Sequence, residues 1–219
     1  MPERQIVFTR LRGTLDVRSA RRDDLSELPQ LTTRLGAVDE ALGGGLPLGA
    51  VTELLCPIAS CGGQLLLAHL LACTRALLQR VALVDACDAF DPPSFPPDLY
   101  RHVVWVRCAG VPTALQVADL IVRDANFGLV VLDLKHADAQ ELRRTPSTIW
   151  YRLQRAVEPA SLALLVITSQ AVVPSAQLRI ELTQPFTAVD LPCERTVLTE
   201  RLAPVVQRQR LRAMREAAG

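Results

Sequence analysis

A short loop between a predicted strand and a predicted helix carries the residues with the clearest chemical meaning. Residues 50–56 form an apolar, β-branched run that predicts a strand, and residues 64–79 combine apolar and polar positions at helical spacing. Residues 57–63 then have the layout of a phosphate-binding loop, in which backbone N–H groups and a helix N-terminus hold anionic oxygens. The chemistry that this layout indicates is nucleotide binding.

The loop lacks the side chains that nucleotide chemistry needs. A phosphate-binding loop supplies a lysine for the β- and γ-phosphates and a hydroxyl for Mg²⁺, in the pattern G-x-x-x-x-G-K-[ST]. After Ser60 and Cys61, Gly62 and Gly63 stand where the lysine and the hydroxyl residue belong. We therefore expect no cofactor, no metal and no enzymatic activity at this degenerate loop, whose residues include Cys56, Ser60, Cys61, Gly62, Gly63 and Gln64.

Strand-like and helix-like segments alternate along the middle of the chain. This alternation predicts an α/β fold, with a mostly parallel sheet sandwiched by helices. The later segments 176–183 and 186–191 alternate apolar and polar residues, and we expect them to form an antiparallel edge. The strands are expected near 51–55, 81–85, 103–107, 129–133 and 162–168, and the helices at 64–79, 113–124 and 147–157.

Two segments around the degenerate loop resemble bacterial RecA recombinases. The glycine-rich run 35–47 resembles the stretch before the RecA phosphate loop, and residues 83–92 resemble the stretch that carries the catalytic glutamate of RecA. Cys87 takes the place of that glutamate, and a thiol cannot serve as the carboxylate that activates water.

Two later segments extend the resemblance to residues 35–185. Residues 113–133 resemble the helix and strand that end in the Walker B carboxylate, here Asp133, and residues 164–170 resemble the strand that ends in the nucleotide-sensing glutamine, here Gln170. The resemblance implies a RecA-like fold. At a degenerate site we expect both side chains to make structural hydrogen bonds.

The DNA-binding loops of RecA have only partial counterparts. The second loop is reduced here to residues 171–174, which we expect to be too short to enter a filament axis. The first corresponds to residues 135–147, for which we weigh a phosphate contact against a solvated polar loop and favour the solvated loop. Its cations are Lys135, His136, Arg143 and Arg144.

Among RecA-like families without a working phosphate loop, the chain resembles the ImuA family in its size, its degenerate loop and its arginine-bearing tail. This resemblance implies a non-enzymatic accessory protein of SOS-induced translesion synthesis. The implied partners are an inactive Y-family polymerase homologue and an error-prone replicative-type polymerase, with RecA as a further candidate. The alternatives are a SulA-like inhibitor of cell-division filament assembly and an active ATPase that borrows Lys135, the only lysine.

We divide the chain into an N-terminal arm (1–30), a RecA-like core (31–193) and an arginine-rich helical tail (194–219). The arm either contacts a partner or folds back on its own domain, and its candidate contact residues are Ile6, Val7, Phe8, Leu25 and Leu28. After Pro204 we expect a helix, which either binds DNA phosphate or an acidic partner, or is solvated. Its arginine face is Arg208, Arg212 and Arg215.

Composition narrows the function classes further. A chain of 219 residues with 49% hydrophobic residues can bury a sizeable core, and its net charge of +1 argues against bulk electrostatic capture of nucleic acid. We find no signal peptide or membrane span in the sequence and expect a cytoplasmic protein with free thiols. For Cys56, Cys61 and Cys87, a metal or redox site is the alternative to inert thiols.

Overall fold

A seven-stranded sheet forms the centre of the protein in a computed structural model, which describes residues 28–124 and 126–209. Its strands are β3 (Ala50–Leu55), β4 (Val81–Asp85), β5 (Val103–Arg107), β6 (Leu129–Asp133), β7 (Ala163–Thr168), β8 (Leu178–Leu182) and β9 (Pro204–Gln209). The strand order is β5-β4-β6-β7-β3-β8-β9, and every pairing is parallel except that of β8 with β9. A separate antiparallel pair is formed by β1 (Gln30–Leu31) and β2 (Leu46–Pro47).

Helices cover both faces of this sheet, so the expected α/β fold with a mostly parallel, RecA-like sheet is confirmed. They are α1 (Gly36–Leu42), α2 (Gly63–Ala76), α3 (Val111–Asp124), α4 (Ala139–Arg144), α5 (Ser147–Val157) and α6 (Arg195–Glu200). One apolar cluster joins one face of the sheet to α1 and α2, and a second joins the other face to α3 and α5. Side chains along β4 alternate between the two clusters, because successive strand residues point to opposite faces.

The C-terminal part departs from the sequence-based expectation. Pro204–Gln209 form the edge strand β9 rather than a helix, and β9 pairs with β8 in antiparallel register. Along β9, Val205 is exposed while Val206 packs against the core, an alternation that suits a strand with one buried face. The expected arginine face of a helix is therefore wrong for Arg208, whose guanidinium donates to the carbonyl of Pro174 at 3.2 Å. Arg212 and Arg215 lie outside the described residues.

The expected antiparallel edge is only partly correct. Residues 178–182 do form a strand, but β8 runs parallel to β3 and antiparallel to β9. Residues 186–191 are not a strand, because Ala188–Asp190 form a 3-10 turn with Thr187 and Asp190 in a capping box. The return of the chain through β9 supplies the antiparallel partner instead.

Most of the expected N-terminal contact residues fall before the described part of the chain. Ile6, Val7, Phe8 and Leu25 lie outside it. Leu28 is partly buried and packs against the core cluster, so it contributes to the domain's own core. No helix in residues 28–124 and 126–209 combines the length and the apolar character needed to cross a membrane.

Candidate functional site: a degenerate nucleotide loop

Two aspartates stand side by side at the carboxyl edge of the sheet. Asp85 ends β4, Asp133 ends β6, and they are register partners. Asp85 is fully buried, and its carboxylate is surrounded by donors at 2.9–3.3 Å, which shapes the turn after β4. The donors are the backbone N–H groups of Cys87, Ala89 and Phe90 and Nε1 of Trp105.

Asp133, predicted from the sequence to match the Walker B carboxylate, is only 4% exposed. Its Oδ1 accepts a hydrogen bond from the backbone N–H of Lys135 at 3.0 Å. Desolvation raises the pKa of its carboxyl group, and the nearby Asp85 charge acts in the same direction. The charged form of this carboxylate is therefore disfavoured in the folded protein.

The degenerate loop, residues 56–63, connects the end of β3 to the start of α2. The backbone N–H of Cys56 donates to the carbonyl of Thr168 on β7 at 2.7 Å, which fixes where the loop leaves the sheet. Gly62, at the position of the lysine, has a φ of 90°. A Cβ atom there would lie 2.4 Å from Cδ2 of Leu202 and 2.9 Å from Cε2 of Phe186. The space into which a lysine side chain would extend is thus occupied by two apolar side chains.

Both apolar side chains belong to residues 183–202, which we call the cover segment. The backbone N–H of Phe186 donates to the carbonyl of Ser60 at 2.9 Å, so the cover segment is hydrogen-bonded to the degenerate loop. The Arg201 guanidinium stacks 5.2 Å from the Phe186 ring centroid and pairs with Asp190. Leu202 is 2% exposed. These contacts hold the cover segment against the loop.

Sequence reasoning missed the cover segment. Phe186 and Leu202 lie among other apolar residues of the same stretch, such as the exposed Val189 and Leu191, so the sequence does not mark them as buried. Their partner, Gly62, lies more than a hundred positions earlier, so no local pattern connects the three residues.

Cys56 and Cys61 meet inside the degenerate loop, whereas Cys87 is exposed. The two loop thiols are each 1% exposed and share a side-chain hydrogen bond. That bond is the main cause that lowers the pKa of Cys61, to about 6, and raises the pKa of Cys56. The Lys135 charge lowers both pKa values, so this cation lies near the loop. Among the described residues, no group of three or more His, Cys, Asp or Glu is arranged to hold a metal.

Gln170 fastens the 135–147 loop to the end of β7. Its Nε2 donates to the carbonyl of Ala139, and its Oε1 accepts from Arg143, both at 3.1 Å. Ala139 begins α4, so Gln170, predicted from the sequence to match the nucleotide-sensing glutamine, contacts a helix of the same chain. The amide uses one N–H donor and its acceptor oxygen in these contacts.

A buried ion pair holds the shortened second loop against the sheet. Glu53 on β3 is fully buried, and its Oε1 accepts from the backbone N–H groups of Val172 and Val173 at 2.7 and 3.0 Å. Its Oε2 accepts from Nε of Arg179 at 2.5 Å, and Arg179 also donates to the carbonyl of Val173. Sequence reasoning did not single out Glu53, although an acidic residue within an apolar strand is a signal of a buried pair.

Comparisons with known proteins agree with this scaffold. The chain is 35% identical over 115 residues to the RecA protein of Crocosphaera subtropica, a match that covers 50% of this chain and 32% of that protein. It is 33% identical over 115 residues to the RecA protein of Clavibacter michiganensis, covering 51% and 31% of the two chains. The chain is RecA-like. No protein-family model matches it.

The RecA-like match covers only part of each protein. The matched part spans about a third of the RecA proteins, so their activity as whole proteins does not transfer with it. This RecA-like chain has a loop after β3 and a carboxylate at the end of β6. The lysine position is a glycine under an apolar cover.

Proposed function

We propose that this RecA-like protein is a non-enzymatic accessory subunit of SOS-induced translesion DNA synthesis, which acts through protein contacts and not through nucleotide turnover. The observation that carries the proposal is the filled lysine position: Phe186 and Leu202 occupy the space in front of Gly62. A triphosphate there would meet apolar carbon in place of an ammonium group. Burying an unpaired phosphate charge against such a surface is strongly unfavourable.

The proposed partners are an inactive Y-family polymerase homologue and an error-prone replicative-type polymerase, with RecA itself as a further partner. Exposed apolar side chains on the cover segment support contact with proteins. Val189 and Leu191 are both 83% exposed, and Ile58 on the adjoining loop is 40% exposed. In RecA filaments ATP lies between protomers, so a RecA-like subunit without nucleotide could join or cap a filament and dampen strand exchange. The proposed role places the protein in the cytoplasm.

A nucleotide experiment tests the proposal directly. Mg-ATP is titrated into the full chain by calorimetry and phosphate release is followed, with a RecA protein as the positive control. We expect neither binding heat nor turnover. Micromolar binding with Mg²⁺-dependent phosphate release would overturn the proposal.

Two variants distinguish the effect of the apolar cover on ATP binding from the effect of the missing lysine. Phe186→Ala with Leu202→Ala opens the space but supplies no cation, and we expect it still to bind no ATP. Adding Gly62→Lys to that double variant supplies the cation, and we expect weak binding to appear only then. Binding by the double variant alone would show that Lys135 serves as the cation, as the ATPase alternative requires.

A co-purification experiment tests the partner class. Full-length protein carrying Val189→Asp and Leu191→Asp is compared with the unmodified chain for retention of the two polymerases. Both residues are exposed, so the folded core should be unaffected. We expect the variant to lose retention of the polymerases. Equal retention by the two proteins would show that the cover segment is not part of the interface. The RecA matches lend no support to the SulA-like alternative.

A test of DNA binding through the tail should use substitutions and not a truncation. Deleting the chain after Pro204 would remove strand β9 and expose the edge of β8. Arg212→Ala with Arg215→Ala leaves β9 intact. A DNA mobility shift that these substitutions do not change would show that the two tail arginines do not contribute to DNA binding.

A further inference from the structure

The degenerate loop holds two cysteines where the phosphate-loop pattern has its two glycines. Cys56 and Cys61 bracket the loop, and each thiol is 1% exposed. The two thiols are close enough that a side-chain hydrogen bond between them is the largest influence on the pKa of each. The sulfur of Cys56 also lies 2.9 Å from where a Cβ of Gly63 would stand, so only glycine leaves room for it.

The surroundings favour one thiolate in this pair. The Cys56 thiol and the backbone N–H of Gly63 both hydrogen-bond to the sulfur of Cys61, and the Lys135 ammonium adds an attractive charge. These contacts lower the pKa of Cys61 to about 6, against the opposing effect of burial. The hydrogen bond with Cys61 and burial raise the pKa of Cys56, which therefore stays protonated and can donate. A thiolate beside a neutral thiol is the arrangement of an oxidisable dithiol.

We propose that Cys56 and Cys61 form a redox-modification site, in which hydrogen peroxide converts the two thiols to an intra-loop disulfide. The Cys61 thiolate attacks one peroxide oxygen, the S–O bond forms, the O–O bond breaks, and the departing hydroxide takes up a proton to become water. The Cys56 thiol then loses its proton and attacks the Cys61 sulfur, and the sulfenic hydroxyl leaves with that proton as a second water. The thiol pair loses two electrons, and one peroxide is reduced to two waters.

The cover segment packs on the residues on either side of Cys61. Phe186 and Leu202 pack on Gly62, the residue after Cys61, and hydrogen bonding joins Phe186 to Ser60, the residue before it. In the proposed reaction, peroxide reaches the dithiol past these two side chains. We expect Phe186→Ala to speed disulfide formation several-fold while leaving its product unchanged.

The test is peroxide treatment of the full chain, followed by alkylation of the remaining thiols, proteolysis and mass spectrometry. The expected result is a peptide spanning residues 56–61 that has lost two hydrogens and resists alkylation until reduced. Cys73 is the internal control, because its thiol is also buried but hydrogen-bonds to the carbonyl of Thr33 at 3.1 Å. Complete alkylation of Cys56 and Cys61 after unfolding, at the level of Cys73, would overturn the proposal.

Two variants keep the proposal falsifiable if the loop is sensitive to substitution. In Cys56→Ser the resolving thiol is absent, and a sulfenic acid at Cys61 should become trappable by dimedone. Lys135→Met removes the nearby cation outside the loop and should slow disulfide formation. Trapping at Cys56 in a Cys61→Ser variant, or no effect of Lys135→Met, would refute the assignment of Cys61 as the attacking thiol.

Discussion

The packing of the cover segment on Gly62 predicts a large cost for the smallest possible side chain at that position. In Gly62→Ala the new Cβ would lie 2.4 Å from Cδ2 of Leu202, which is 2% exposed. Overpacking of this kind costs about 1–3 kcal/mol. Alanine must also adopt a φ of 90°, which adds about 1–2 kcal/mol. We therefore expect the free energy of unfolding to fall by about 2–5 kcal/mol.

A matched control isolates the steric part of this cost. Gly43 has a φ of 75°, but a Cβ atom added there would have no other heavy atom within 4 Å, so Gly43→Ala reports backbone strain alone. We expect it to cost about 1–2 kcal/mol. Gly36 has open space around it and no positive φ, so Gly36→Ala gives the baseline change in the free energy of unfolding for a glycine-to-alanine substitution.

The assay is urea unfolding followed by tryptophan fluorescence, with linear extrapolation of the free energy. A double-mutant cycle with Leu202→Ala then measures the contact itself. If Leu202 creates the clash, the double variant should lose about 1–3 kcal/mol less than the sum of the single losses. Equal losses for Gly62→Ala and Gly43→Ala, together with additivity in the cycle, would refute the close packing of the cover segment.

Three further substitutions test the buried acids by the same unfolding assay. Asp133→Asn should stabilise the protein at neutral pH, because burial raises the folded-state pKa of this acid and the asparagine oxygen can still accept from Lys135. The charged Asp133 carboxylate lowers the stability of the unmodified protein most above its raised folded-state pKa, and this cost disappears as pH falls towards the unfolded-state pKa. The stability gained by Asp133→Asn should therefore shrink as pH falls. A gain that grows at lower pH would contradict this prediction. Asp85→Asn should cost about 1–3 kcal/mol, because its new amide group faces donors and not acceptors. Glu53→Gln should cost about 3–5 kcal/mol, because the Arg179 charge loses its buried partner, and a loss below about 1 kcal/mol would refute that role.

The elements that the sequence predicted well are those whose local pattern matches their environment. The strands at residues 81–85, 103–107 and 129–133 and the helix at 147–157 have the expected bounds. The strands at 81–85 and 129–133 are buried apolar runs in the middle of the sheet, while the helix shows one apolar stripe. Helix α2 ends earlier than expected, because Leu78 adopts a left-handed conformation with a φ of 55°.

The elements that the sequence did not predict depend on distant partners. Residues 204–209 look compatible with a helix in isolation, but pairing with β8 satisfies their backbone groups and packs Val206 against the core. The same limitation applies to the site. Glycines at the lysine and hydroxyl positions indicated lost chemistry, but only the fold places Phe186 and Leu202 in the vacated space.

The glycine and its cover depend on each other. Gly62 is needed because any Cβ would collide with Leu202 and Phe186, and the two apolar side chains can approach the loop only because Gly62 has no side chain. Lysine at position 62 alone would clash, and removal of the cover alone would supply no cation. A return to nucleotide binding by this route therefore requires several simultaneous changes, each of which is unfavourable or without effect by itself. This mutual dependence explains physically how a RecA-like scaffold can stay stable without a ligand in its phosphate loop.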